Sequence, residues 1–159
     1  MVPEKVNLVA NDGGSVEVPW AVIDISNLIY NMILDLDAED DDMPTIPLPN
    51  VDTATLKLVI EYCVHHKDSP RIRSPETVTG RSTHTRNAYD VGAWDAQFCS
   101  FDDKEPLMAL ILASNYLDIP CLLDTCCKVM ANSIRGRTPE EIRNIFNIQD
   151  DPTPETVTE

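Results

Sequence analysis

Residues 113–127 read ASNYLDIPCLLDTCC: an amide and a tyrosine between two apolar runs, then a proline and three cysteines. The run before it, Leu107 to Ala113, is apolar all round. It predicts a helix from about Pro106, preceded by Asp102 or Asp103 and buried on most sides. That helix ends near Tyr116, and Asp118 and Pro120 restart the chain as a second one. In the second helix Leu123, Cys127, Met130 and Ile134 form one stripe, Leu122, Cys126 and Val129 widen it, and Gly136 stops it. Two successive apolar helices constrain the chain strongly, because each needs something to lie against.

RTPEEIRNIFNI follows. Thr138 is placed as an N-cap, Pro139 at the first helical position and Glu141 three residues after the cap, which together make a capping box. Ile142, Ile145 and Phe146 share one face of a helix of only about eight residues, too short to hold its shape alone in water. After it comes DDPTPETVTE, which covers little. Its own core is one destination for this apolar face. A contiguous apolar surface left open on a soluble protein usually marks a partner, and an amphipathic helix is the natural filler.

The cysteines follow the apolar pattern. Adjacent helix residues such as Cys126 and Cys127 diverge by about 100°, no CxxC pair or nearby histidine completes a zinc site, and each reads best as a small buried hydrophobe. Five cysteines, an odd number lying inside apolar segments, fit reduced thiols of the cytoplasm and nucleus better than a disulfide framework. The N-terminal residues lack the pattern of a secretion signal, and the longest apolar run falls well below the roughly 20 residues of a membrane helix. A formal charge of −15, from 27 acids against 12 bases, repels phosphate backbones and anionic membranes, so neither nucleic acid nor membrane is expected as a partner.

Upstream, Val6, Leu8 and Ala10 alternate, NDGG supplies a turn, and Val16 and Val18 alternate again, predicting a β-hairpin. Ser26 or Asn27 caps a helix carrying Ile29, Met32, Ile33 and Leu36. DAEDDD at 37–42 is a solvated loop, and TIPLPN at 45–50 allows at most a short edge strand. Asp52 or Thr53 starts a helix with Leu56, Val59, Ile60, Cys63 and Val64 on one face. Residues 67–93 lose all periodicity. They form a long loop carrying Lys67, Arg71, Arg73, Arg81 and Arg86, either a docking strip for an acidic partner or a tolerated insertion. Trp94 and Phe98, at i and i+4, then anchor a short helical turn.

Phosphate-binding glycine loops, HExxH and GxSxG are absent from the sequence, and no cofactor is expected. Cys63 and His66 share a face at i, i+3, the spacing of a dyad or of half a metal site. The competing reading is a core cysteine followed by histidines at a helix C-terminus, where the dipole favours them. Nothing nearby completes a catalytic set, which points to a binding module.

Three runs in this order carry a resemblance: LPNVDTATLKLVIEYCVHHKD, then WDAQF, then LMALILASNYLDIPCLLDTCCKVMANSIRGRTPEEIRNIFNI. From Val6 to Ile148, apart from 69–92, the chain resembles the S-phase kinase-associated protein 1 family. The resemblance implies an α+β fold of BTB/POZ type, a small three-stranded sheet packed with helices plus C-terminal helices. It divides the chain into a cullin-facing part (1–117), F-box-binding helices (118–148) and a polar tail (149–159). It implies an adaptor of SCF-type ubiquitin ligases that performs no chemistry and bridges F-box proteins to a cullin scaffold. A divergent subunit that binds F-box proteins in a non-cullin assembly is the alternative.

By that resemblance Asn115 and Tyr116 face the cullin. Leu122, Leu123, Cys126, Met130, Ile134, Ile142, Ile145 and Phe146 face the F-box. An apolar face of this kind, left without an F-box partner, is itself a surface for self-association. The family continues past FNI with more helix and an acidic, tryptophan-bearing tail that these 159 residues do not contain, which implies a weaker F-box grip or a truncated chain. The 69–92 loop is basic where the family's is acidic or proline-rich. Pro154 stands where some relatives carry a modifiable proline, or is an ordinary tail proline.

Overall fold

The alternating residues at the start of the chain form the expected hairpin. In a computed structural model, which describes residues 3–35, 43–68 and 90–149, β1 (Lys5–Ala10) pairs antiparallel with β2 (Ser15–Pro19), Val6 opposite Val18 and Leu8 opposite Val16. The Ala10 N–H donates to the Gly14 carbonyl at 2.8 Å, and Gly13 takes φ +84°, the left-handed conformation such a turn needs. On the other side β3 (Thr45–Leu48) runs parallel to β1, giving the order β2-β1-β3. Pro47 is accommodated because β3 is an edge strand, where a missing N–H breaks no ladder. The acidic run at 37–42, Leu36, most of the basic loop and the tail with Pro154 lie outside the described residues.

A short helix that periodicity did not reveal, α1 (Trp20–Ile23), buries Val22 and Ile23, and α2 (Asn27–Asp35) buries Ile29 and Ile33. The helix α3 (Thr53–His65) starts where Asp52 accepts the Thr55 N–H at 3.3 Å. Leu56, Val59 and Cys63 are fully buried as expected, but Val64 is 50% exposed and Tyr62 is buried instead. The reason is helical phase: Tyr62 is i+3 from Val59, whereas Val64 at i+5 is rotated by about 140°.

Trp94 and Phe98 anchor α4 (Ala93–Phe98), their rings stacked 5.0 Å apart. The helix is held to the end of α3 by two parallel contacts: His65 stacks on Trp94 at 3.7 Å, and His66 Nε2 lies 2.7 Å from Asp95 Oδ1. The helix α5 (Glu105–Tyr116) begins with its Glu105 N–H donating to Asp103 Oδ1. The expectation that it is buried on most sides is corrected. Leu107, Leu110 and Ala113 point into the core, while Met108 is 49% and Leu112 69% exposed. A uniformly apolar sequence conceals which side faces inward, because periodicity is the signal that reveals it.

The break at SNYLD is a Schellman turn. Asp118 takes φ +51°, its N–H donates to the Asn115 carbonyl, and the Ile119 N–H donates to the Ser114 carbonyl at 2.9 Å. The chain then enters α6 (Pro120–Ile134) and α7 (Pro139–Ile145). The two are joined by a type II turn with Gly136 at φ +70° and Arg137 N–H donating to the Ile134 carbonyl. Leu122 and Cys126 of α6 belong to the same buried cluster as Val6, Leu8, Leu56 and Leu110.

Candidate functional site

The α7 helix is built as its sequence requires. The Glu141 N–H donates to Thr138 Oγ1 at 3.3 Å, and the Thr138 N–H donates to Glu141 Oε2 at 2.7 Å. These bonds satisfy two of the amides that every helix start leaves open. The backbone and side chain of Thr138 hold the Glu141 carboxyl below the usual carboxylate range. At the other end Asn147 takes φ +52° and the Ile148 N–H donates to the Arg143 carbonyl, a second Schellman turn. The helix is thus closed at both ends, yet no residue in it is buried.

That combination defines the first surface. Ile142, Ile145 and Phe146 are half-buried, and none of them packs against the core cluster; the same holds for Leu123 and Ile134 on α6. Met130 is half-buried and does touch the core. Ile148, beside them in sequence, is 57% exposed. Two assignments need correction. Leu122 and Cys126 are fully buried in the chain's own core, so neither side chain is open to a partner. The inner ridge of α6 is therefore Leu122 and Cys126, with Val129 beside them. Of the other stripe, Cys127, expected to be buried, is exposed, Leu123 and Ile134 are half-buried off the core, and Met130 touches it.

The second surface lies on α5. Met108, Leu112 and Asn115, at i, i+4 and i+7, share its outer face, and all three are exposed. Tyr116 is half-buried with its ring against the core. The resemblance names Asn115 and Tyr116 on this helix; Met108 and Leu112, exposed on the same face as Asn115, are not among the residues it names. The available signal was the i+4, i+3 spacing leading back from Asn115.

Catalysis finds little support in the geometry. Cys63 is fully buried, and burial, with the charge of Asp24, pushes its thiol up to about 12. Such a thiol carries almost no thiolate at neutral pH. His66 is engaged with Asp95. A hydrogen bond with Cys99, and burial, also raise the Cys126 thiol. A shallow pocket of about 300 Å³ between α3 and α4 is lined by Leu58, Glu61, Trp94, Gln97 and Phe98, which offer a single carboxylate. Among the described residues no group of three or more His, Cys, Asp or Glu is placed to hold a metal ion, and no helix is long and apolar enough to cross a membrane.

Comparison with known proteins matches both ends of this architecture. Residues 4–68 match the family model described as "Skp1 family, tetramerisation domain", and residues 120–159 the one described as "Skp1 family, dimerisation domain". A protein of Arthroderma otae called E3 ubiquitin ligase complex SCF subunit sconC is 45% identical over 151 residues, covering 95% of this chain and 87% of the relative. Proteins of the same name from Talaromyces stipitatus and Aspergillus fumigatus are 42% and 45% identical, covering 95% and 94% of this chain and 89% of each relative.

Proposed function

The chain belongs to the Skp1 family, and from that premise we propose that it is the adaptor subunit of an SCF-type E3 ubiquitin ligase. It assembles with other SCF components, holding an F-box substrate receptor on the α6–α7 face and a cullin scaffold on the outer face of α5. On this reading it works in the cytoplasm and nucleus and performs no chemistry itself; it fixes the distance between a bound substrate and the ubiquitin-charged enzyme.

The observation that carries the proposal is a fully capped helix with no buried residue, whose Ile142, Ile145 and Phe146 sit off the core. A seven-residue helix in water is stabilised chiefly by what it packs on. Closing a receptor helix over those three half-buried side chains recovers part of the roughly 1.5–3 kcal/mol that fully burying an exposed one is worth. The α5 face offers a smaller apolar anchor, Met108 and Leu112, with the Asn115 amide at its end to fix register. That is the usual composition of an interface core with a polar margin.

The test is co-purification with a panel of F-box proteins, with and without a cullin N-terminal fragment. Binding of both in one ternary complex supports the proposal. Retained F-box binding with no cullin binding replaces it with a receptor-binding subunit of a different assembly. Failure to bind any F-box protein ends it.

A further inference from the structure

The start of α2 is buried against the turn that separates the two proposed docking surfaces, and two of its amides and one hydroxyl have their partners across that junction. Ser26 is fully buried. Its hydroxyl donates to the Leu117 carbonyl at 2.5 Å and accepts the Ile29 N–H at 3.2 Å. The Asn27 N–H donates to the Asp118 carbonyl at 3.1 Å, and the Leu28 N–H to the Leu117 carbonyl at 3.3 Å. The Tyr30 N–H then makes the first bond of the helix proper, to the Ser26 carbonyl.

The first turn of a helix leaves four amides without partners inside it. Three are those of Asn27, Leu28 and Ile29, and here two of them and the cap hydroxyl are given to the backbone of Leu117 and Asp118. These carbonyls lie at the C-terminal end of α5, so the positive end of one helix meets the negative end of another, which the two dipoles favour. Asp118 is also the residue at φ +51° on which the chain turns from α5 into α6. The turn between α5 and α6 is thereby bonded from outside both helices, by a residue 91 positions from Leu117 in sequence.

We propose that Ser26 is a positioning residue of the adaptor: its bridge to Leu117 fixes the angle between the α5 face and the α6–α7 face, and so the geometry between scaffold and receptor. Its link to ligase output rests on the adaptor reading; its link to the angle does not. Removing the hydroxyl strips the α2 cap and one of the two donors to Leu117 while leaving every residue of both docking faces in place. The two faces should keep their affinities and lose their fixed relation.

The test separates these levels. Spin labels are placed on the exposed Cys127 of α6 and on a Glu105→Cys change at the exposed start of α5, in a Cys121→Ala background, and the inter-label distance distribution is measured. The expected result is a narrow distribution in the otherwise unchanged protein and in Ser26→Thr, and a distribution at least twofold broader in Ser26→Ala. An unchanged width in a folded Ser26→Ala protein overturns the proposal. Should Ser26→Ala fail to fold, amide hydrogen exchange on the unaltered protein decides: Asn27 and Leu28 amides must exchange as slowly as those of β1, and rapid exchange there overturns it.

In the reconstituted ligase, Ser26→Ala should keep each binary affinity within twofold while ubiquitin transfer falls at least fivefold, with Ser26→Thr restoring it. Equal transfer rates at unchanged affinity overturn the functional half. A wild-type chain that binds neither partner defeats the adaptor reading while the label distances still decide the role of Ser26.

Discussion

Thr138 and Glu141 hold each other: each donates its backbone N–H to the other's side chain, at 2.7 Å and 3.3 Å. The pair fixes the first turn of a helix that has no buried residue, so its contribution should be felt in receptor binding more than in the stability of the body. Thr138→Ala should weaken F-box binding by about 1 kcal/mol, the usual cost of losing such a cap. Isothermal titration on the variant checks this, with the thermal midpoint of the free chain expected to stay near the parent value.

The inner and outer residues of α6 should separate in the same way. Leu122 is fully buried, so Leu122→Ala should cost about 2–5 kcal/mol of stability in urea unfolding. Leu123 lies off the core, so Leu123→Ala should leave the urea midpoint nearly unchanged and weaken the receptor complex. The adjacent pair thus tests the proposed docking face directly.

Thiol reactivity should follow burial. Cys127 is exposed, whereas Cys63 and Cys126 are fully buried. With burial pushing Cys63 up to about 12, alkylation followed by mass spectrometry should modify Cys127 first and Cys63 only as fast as the protein opens. Labelling of Cys63 faster than an unfolded control would revive the Cys63–His66 reading.

Acid should loosen the helix starts. Hydrogen bonds from Thr53 hold the Asp12 carboxyl below its ordinary value, those from Thr55 do so for Asp52, and those from Thr138 for Glu141. A carboxyl depressed on folding adds stability above its unfolded value, near 4, and the gain is lost as pH falls through the folded value. Urea midpoints should therefore be level between pH 6 and 7 and fall below about pH 4. Asp52→Asn should show a shallower fall on the acid side.

Much of this was legible beforehand because local chemistry and fold agree at those places. Alternation gave the hairpin, Asp52 and the Thr138–Glu141 box gave two helix starts, and Gly136 gave the end of α6. The missed features share a cause, the absence of contrast in sequence. Met108 and Leu112 sit in a run with no polar residue to mark the outer side, and the apolar stripe on α6 is wide enough that its pattern alone does not show Leu122 and Cys126, which the resemblance places toward the F-box, to be its buried edge. Trp20–Ile23 is too short to show a period. The bridge from Ser26 to Leu117 spans 91 positions, and no local pattern carries it.

The most direct measurement uses Leu112→Ala and Phe146→Ala, each titrated separately with a cullin N-terminal fragment and with an F-box protein. Leu112, 69% exposed on α5, and Phe146, off the core at the end of α7, belong to different faces. Leu112→Ala should weaken cullin binding by about 2 kcal/mol, roughly 30-fold, and leave the F-box affinity unchanged; Phe146→Ala should do the reverse. Loss of both partners in either folded variant, or of neither in both, would contradict an adaptor with two separate docking faces.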